Sequence, residues 1–170
     1  MKLDPSGQLL KQFIDVNNRV LARFSAQEKS RIGVHSCPGG DRDATHSATV
    51  DYAGLLPQLF ELDVANFYLQ MASEQDRPRV LEQVRGLLRP HHRVFVGVID
   101  PINPKLESAK EVCSRVLEAA RFIPAHQLGT TDDCGFAPFS DDTSTARDLA
   151  FAKIAARVQG TLMAEGQIKT

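Results

Sequence analysis

The sequence predicts an α/β fold, with an N-terminal helix followed by four βα units on a mainly parallel sheet. Three observations carry this prediction. Short apolar runs alternate with amphipathic helical patterns along the chain. One run, Arg93 to Asp100, is nearly continuous in apolar residues, as in a strand buried on both faces. Every run is followed by a helical stretch, which demands right-handed crossovers between parallel strands.

The first element reads as a helix. Asp4 suits an N-cap and Pro5 the first turn. Leu9, Leu10, Phe13, Val16, Val20, Leu21 and Phe24 then recur at three- and four-residue spacing. A strand is expected from Arg31 to Cys37, then a loop rich in Gly, Asp and Thr from Pro38 to Val50. A helix follows from about Asp51 to Glu61, with Leu55, Leu56, Leu59 and Phe60 on one side. The second strand is Asn66 to Met71. Glu74 to Arg89 reads as a charged helix with a stripe of Val80, Leu81, Val84, Leu87 and Leu88. After the third strand, Pro101-Ile102-Asn103-Pro104 forces a stop. The next helix runs from Ser108 to Phe122, and Ser108 with Glu111 forms a capping-box pattern. The fourth strand covers Gln127 to about Thr131. The last helix starts near Thr143, where Asp141-Asp142-Thr143 supplies an N-cap, and carries Leu149, Ala150, Ile154, Val158 and Leu162.

No internal linker or low-complexity segment divides the 170 residues, so one domain spanning 1–170 is expected. Hydrophobic residues make up 42% and charged residues 24%, enough for a core. A net charge of -1 gives no reason to expect nucleic acid or an anionic membrane as partner. The N-terminus lacks the apolar stretch of a signal peptide, and a cytoplasmic protein is expected. Three cysteines in a reducing compartment read as metal ligands, catalytic groups or core rather than as a disulfide framework. Four βα units are half of an eight-fold barrel, which typically needs ~250 residues.

In parallel α/β sheets the chemistry sits at the C-terminal ends of strands. His35, Cys37, Gln70, Asp100, Asp132, Asp133 and Cys134 all lie there in this reading. His35 and Cys37 are two apart in a strand and so face one side. Cys134 meets them if its strand ends at the same rim. An imidazole and two thiolates make a soft site for zinc. The alternative is two buried cysteines and a hydrogen-bonded histidine. A fourth ligand is expected, and Gln70 and Glu74 flank the end of the second strand, whereas Glu61 and Asp63 belong to the opposite rim. The segment Pro38 to His46 is either a glycine turn with Asx caps or a substrate loop to which Asp41, Asp43 or His46 contributes. Asp100 ends a buried strand, where an ionised carboxylate needs a partner or a role. Asp132 and Asp133 read as turn caps. Cys113 reads as core, and His91, His92 and His126 as solvated loop residues.

His35-Ser36-Cys37, the strand into Gln70-Met71-Ala72-Ser73, Val96-Gly97-Val98-Ile99-Asp100 and Asp132-Asp133-Cys134-Gly135 occur in that order. Together they resemble the C-terminal catalytic region of cobalamin-independent methionine synthase, from about Arg31 to the last helix. The resemblance implies the later half of a (β/α)8 TIM barrel. It also implies a zinc-dependent methyltransferase of methionine biosynthesis, moving a methyl group from a polyglutamylated methyltetrahydrofolate to the homocysteine sulfur. Zinc would be held by His35, Cys37 and Cys134, with the family's glutamate position falling on Gln70. The family's acid/base histidine has no counterpart in Pro101-Ile102-Asn103, and His46 could compensate for it. Asp100 and His46 are therefore named as catalytic candidates, Asp100 from its place at the end of a buried strand, and Asp41 and Asp43 as substrate contacts from their place in the loop. The expected partners are a homocysteine-like thiol, a methyltetrahydrofolate-like donor, and a second copy or an upstream half-barrel. The alternatives are alkyl transfer to a different thiol and a non-catalytic half-barrel.

Overall fold

A computed structural model describes residues 8–37, 51–137, 143 and 145–168. Helix α1 spans Gln8–Leu21 and is followed by a one-turn helix, α2, at Ala26–Lys29. Ser25 caps α2 in a reciprocal box with Glu28. Strand β1 is Gly33–Ser36, α3 is Tyr52–Leu59 and β2 is Asn66–Leu69. Helix α4 covers Arg77–Leu87, β3 covers Arg93–Ile99 and α5 covers Ala109–Ala119. A single 3-10 turn at Ala125–Gln127 leads into β4, Leu128–Asp132, and α6 closes the order at Arg147–Glu165. Three further helices start on side chains that accept a free first-turn N–H. Asp51 accepts from Gly54, Asp76 from Arg79 and Ser108 from Glu111.

The strands lie in the order β1-β2-β3-β4, every neighbour parallel. All four strand ends that follow the chain direction therefore share one rim. Four parallel strands, each followed by a helix, make half of a (β/α)8 barrel. The core lies between sheet and helices, around Phe67, Leu69, Val94, Val96 and Val98 from the strands and Leu56, Leu81, Val84, Val112 and Val116 from the helices. Among the described residues, no helix is long and apolar enough to cross a membrane.

The expectation that β3 is buried on both faces holds from Val96 to Ile99, and the departure is at its first residues. Val94, Val96 and Val98 are fully buried, whereas Phe95 is half-exposed and stacks on Tyr68 with centroids 4.5 Å apart. The row His35, Tyr68, Phe95 and Gly129 belongs to the concave side. In a closed barrel, side chains from opposing strands would fill that side.

The apolar stripes of the terminal helices also point elsewhere than their periodicity suggests. In α1 the buried residues are Ile14 and Leu21, while Leu9, Phe13, Val16 and Val20 face outward. In α6 Lys153, Ala156, Gly160 and Ala164 are buried, and Val158 and Leu162 are exposed. Among the described residues, α1 packs on α3, and α6 packs on α5, β3 and β4.

His92 corrects another expectation. It is 1% exposed rather than solvated, set edge-on to Phe67 at 5.0 Å between centroids and to Phe60 at 5.9 Å. Its Nδ1 accepts the Arg89 N–H. Burial, with His91 and Arg89 nearby, lowers its pKa to about 4. His91 and His126 are exposed as expected, and Cys113 is core. The depressed pKa makes His92 an acid-sensitive plug. The unfolded chain takes up a proton below about pH 6.5 and the folded chain does not until about pH 4, so stability falls across that window. Between pH 7 and pH 5 the expected loss is about 2 kcal/mol, on the scale of 1.4 kcal/mol per pKa unit. Urea titrations of the wild type and His92→Phe at both pH values check this. The variant should lack that increment of acid sensitivity, and an equal loss in both proteins contradicts it.

Candidate metal centre

Strand β1 ends at Ser36, and His35 and Cys37 flank that residue on the same side. Ser36 is anchored from α3: the buried Tyr52 hydroxyl donates to the Ser36 carbonyl at 3.0 Å and lies 2.8 Å from its hydroxyl. Burial raises the Tyr52 pKa, so the phenol keeps its proton for that contact. Desolvation lowers the His35 pKa, against a hydrogen bond to the Tyr68 backbone that raises it. The neutral imidazole this favours is the form that binds metals, and a backbone partner on the ring fixes its orientation.

The third group arrives from the end of β4. Cys134 has φ +49° and the next residue, Gly135, has φ +135°, so the chain turns sharply just past the strand. The Asp133 N–H is held by the Ile99 carbonyl at 2.9 Å, which ties this turn to the end of β3. The ligand atoms of His35, Cys37 and Cys134 all lie within 4.8 Å of one another. Donors shared by one tetrahedral zinc lie roughly 3.5–4 Å apart, given Zn–S near 2.3 Å and Zn–N near 2.0 Å. One imidazole and two thiols at this spacing fit zinc. Among the described residues it is the cluster of His, Cys, Asp and Glu side chains that suits a metal.

Gln70, 5% exposed, follows β2 and places its Oε1 3.6 Å from the Cys134 sulfur. Glu74, the other residue considered for a fourth ligand, instead accepts the Asp76 N–H at 3.0 Å. The structure thus brings four sequence-predicted residues together: His35, Cys37, Cys134 and Gln70. Asp100 lies at the same rim, at the end of β3, but outside the cluster. Its Oδ1 accepts the N–H groups of Ile102 and Asn103, an Asx turn that shapes its own loop. Asp41, Asp43 and His46 lie outside the described residues.

Asp133 reaches much further than the turn cap expected of it. Fully buried, its carboxylate crosses β3 to the turn after β2 and accepts N–H groups from Met71 at 2.9 Å, Ala72 at 3.1 Å and Ser73 at 3.0 Å, with the Ser73 hydroxyl at 3.2 Å. The crossing passes directly over Gly97, where a Cβ would fall 1.6 Å from Asp133 Oδ1. Burial raises the Asp133 pKa to about 6, and the four hydrogen bonds pull the other way. Asp132, the other expected cap, pairs with Arg157 of α6 at 3.0 Å.

Comparison with known proteins bears on the family and the fold. Residues 14–157 match the family model described as the catalytic domain of cobalamin-independent synthase. An uncharacterised protein of Bacillus subtilis (strain 168), YxjH, is 27% identical over 72% of this chain and 32% of its own length. A methionine synthase of Saccharolobus solfataricus is 23% identical over 73% of this chain and 35% of its own. The chain thus spans about a third of the length of these curated relatives. A B12-independent methionine synthase from Shewanella sp. W3-18-1, solved with selenomethionine, superposes with a TM-score of 0.64 at 24% identity. That superposition covers 79% of this chain and 38% of the other, and it shows the shared fold. By its matched residues, the chain belongs to the cobalamin-independent synthase catalytic-domain family.

Proposed function

We propose that this chain is the zinc-binding half of a thiol methyltransferase barrel of the methionine synthase type. The convergence of His35, Cys37 and Cys134 at the catalytic rim carries the reading. When bound there, zinc would hold an incoming thiol as its thiolate, the nucleophilic form, near neutral pH. The chain's own residues do the rest. Tyr52 fixes the His35-Ser36-Cys37 segment, and Gln70 presents a neutral oxygen. Asp100 and His46 are the candidates for handling protons, and Asp41 and Asp43 for contacting substrate. The thiol acceptor is homocysteine-like and the donor methyltetrahydrofolate-like, in keeping with the methionine synthase among the relatives.

Gln70 favours a second reading, in which the site serves a different thiol. A neutral amide in place of a carboxylate leaves the site less negative by one charge. Among the described residues β1 and β4 are the edge strands, and these edges and the half-exposed Tyr68–Phe95 face fit completion by a further four strands, from a second copy or a separate half-barrel.

Thiol capture can be tested by calorimetry, adding homocysteine to the zinc-loaded chain in buffers of different ionisation enthalpy. About one proton should be released per thiol bound near pH 7, because a thiol of pKa near 8.5 becomes a thiolate. Binding without proton release, or no binding, contradicts the assignment. A comparison of homocysteine with other small thiols separates the two readings of the acceptor.

A further inference from the structure

Gln70 is this chain's own departure at the metal site, and an amide has two chemically different ends. Only the oxygen is a ligand, while the NH2 end repels a metal ion. Side-chain amides turn freely unless their partners decide the orientation.

Here the partners do decide it. The Asp133 carboxylate is buried and gathers four donors, and an ionised carboxylate accepts only. The Ser73 hydroxyl has one hydrogen, and it is directed to Asp133 Oδ2. Toward Gln70 the Ser73 oxygen is therefore left as an acceptor, and Gln70 Nε2 donates to it at 2.6 Å. The amide nitrogen is thereby turned away from the site, and Oε1 faces Cys134 at 3.6 Å. The relay runs in one direction, from Asp133 through Ser73 to Gln70.

We propose that Asp133 and Ser73 are positioning residues that lock the Gln70 carboxamide with its oxygen toward His35, Cys37 and Cys134, making it the fourth protein donor. This rests on the zinc reading above and deepens it. A neutral oxygen is a weak zinc donor, so its fixed orientation matters more here than a symmetric carboxylate's would. The Gly97 position, with no side chain, keeps the path of Asp133 open.

Ser73 is exposed at the rim, so removing its hydroxyl empties no core space. Ser73→Ala should bind zinc about tenfold more weakly, in line with the 10–100-fold effect of groups that orient metal ligands. The visible absorption of the cobalt-loaded variant should change, and Ser73→Thr, which keeps the hydroxyl, should restore both. In the metal-free protein, NMR should find a Gln70 amide proton slow to exchange in the wild type and in Ser73→Thr, and fast in Ser73→Ala. Wild-type zinc affinity and cobalt spectrum in Ser73→Ala overturn the positioning role alone. A wild type that takes up neither metal overturns that role and the zinc reading together.

Discussion

Replacing Lys153 with methionine is expected to destabilise the fold by about 3–5 kcal/mol, the usual cost of removing one member of a buried ion pair. Lys153 lies in α6 and is fully buried. Its ammonium has three protons and three partners, each at 2.8 Å: the carbonyls of Asp100 and Lys105 and Glu107 Oε2. Glu107, 5% exposed, uses its other oxygen to accept the Asp100 N–H at 2.9 Å. One ion pair thus satisfies both backbone groups of Asp100 and staples the β3–α5 loop to α6. Methionine matches the length of lysine, so the loss is electrostatic rather than a cavity. It strands an ionised Glu107 and two carbonyls away from water. Urea unfolding measures the effect, and a loss under 1 kcal/mol contradicts this account. Adding Glu107→Gln should recover part of the loss by removing the orphaned charge. Full recovery is not expected, because the two carbonyls stay unpaired.

That pair marks the limit of what periodicity reveals. In α6 the pattern of Leu149, Ile154, Val158 and Leu162 suggests a buried stripe, yet Val158 and Leu162 are exposed and Lys153 is inside. The hydrophobic pattern assumes one core, whereas α6 borders both the core and an open sheet edge. His92 escapes sequence reading for a related reason: at pKa about 4 a histidine is an aromatic plug, and composition does not distinguish that from a solvated one. The strands are easier to read, because apolar runs bounded by Gly, Pro and Asp carry their own punctuation. Their order and parallel pairing follow from the helices between them.

At the site, spacing alone places His35 and Cys37 on one side, and the topology brings Cys134 to the same rim. Asp133 is hidden by its neighbours. Nothing in Asp132-Asp133-Cys134 tells which carboxylate turns inward, since that depends on the missing Cβ at Gly97, on the strand that lies between Asp133 and the turn it serves. The short helix at Ala26–Lys29 is not among the expected elements: it is too brief for any periodicity to announce it, and its one signal is the capping box of Ser25 and Glu28.

Zinc loading carries the second large effect. Of the described cysteines, Cys134 and Cys37 have their sulfurs in the cluster with His35, and Cys113 is buried in α5. A serine hydroxyl is a poor replacement for a thiolate on a soft ion. Cys134→Ser should therefore lose on the order of a hundredfold or more in zinc affinity, beyond the 10–100-fold range for groups that only orient ligands. His126→Ala, an exposed change at the opposite rim, should bind as the wild type does. Zinc held by the folded state alone would also stabilise it, so under the proposal a saturating excess at 100 times Kd should raise wild-type stability by about 2.7 kcal/mol and that of Cys134→Ser much less. The most direct measurement is a competitive zinc titration of the wild type against Cys134→Ser with a chromophoric chelator. The account predicts one tightly held zinc per wild-type chain and its loss in the variant. A wild type that takes up no zinc, or a variant that holds it equally well, contradicts a metal centre at His35, Cys37 and Cys134.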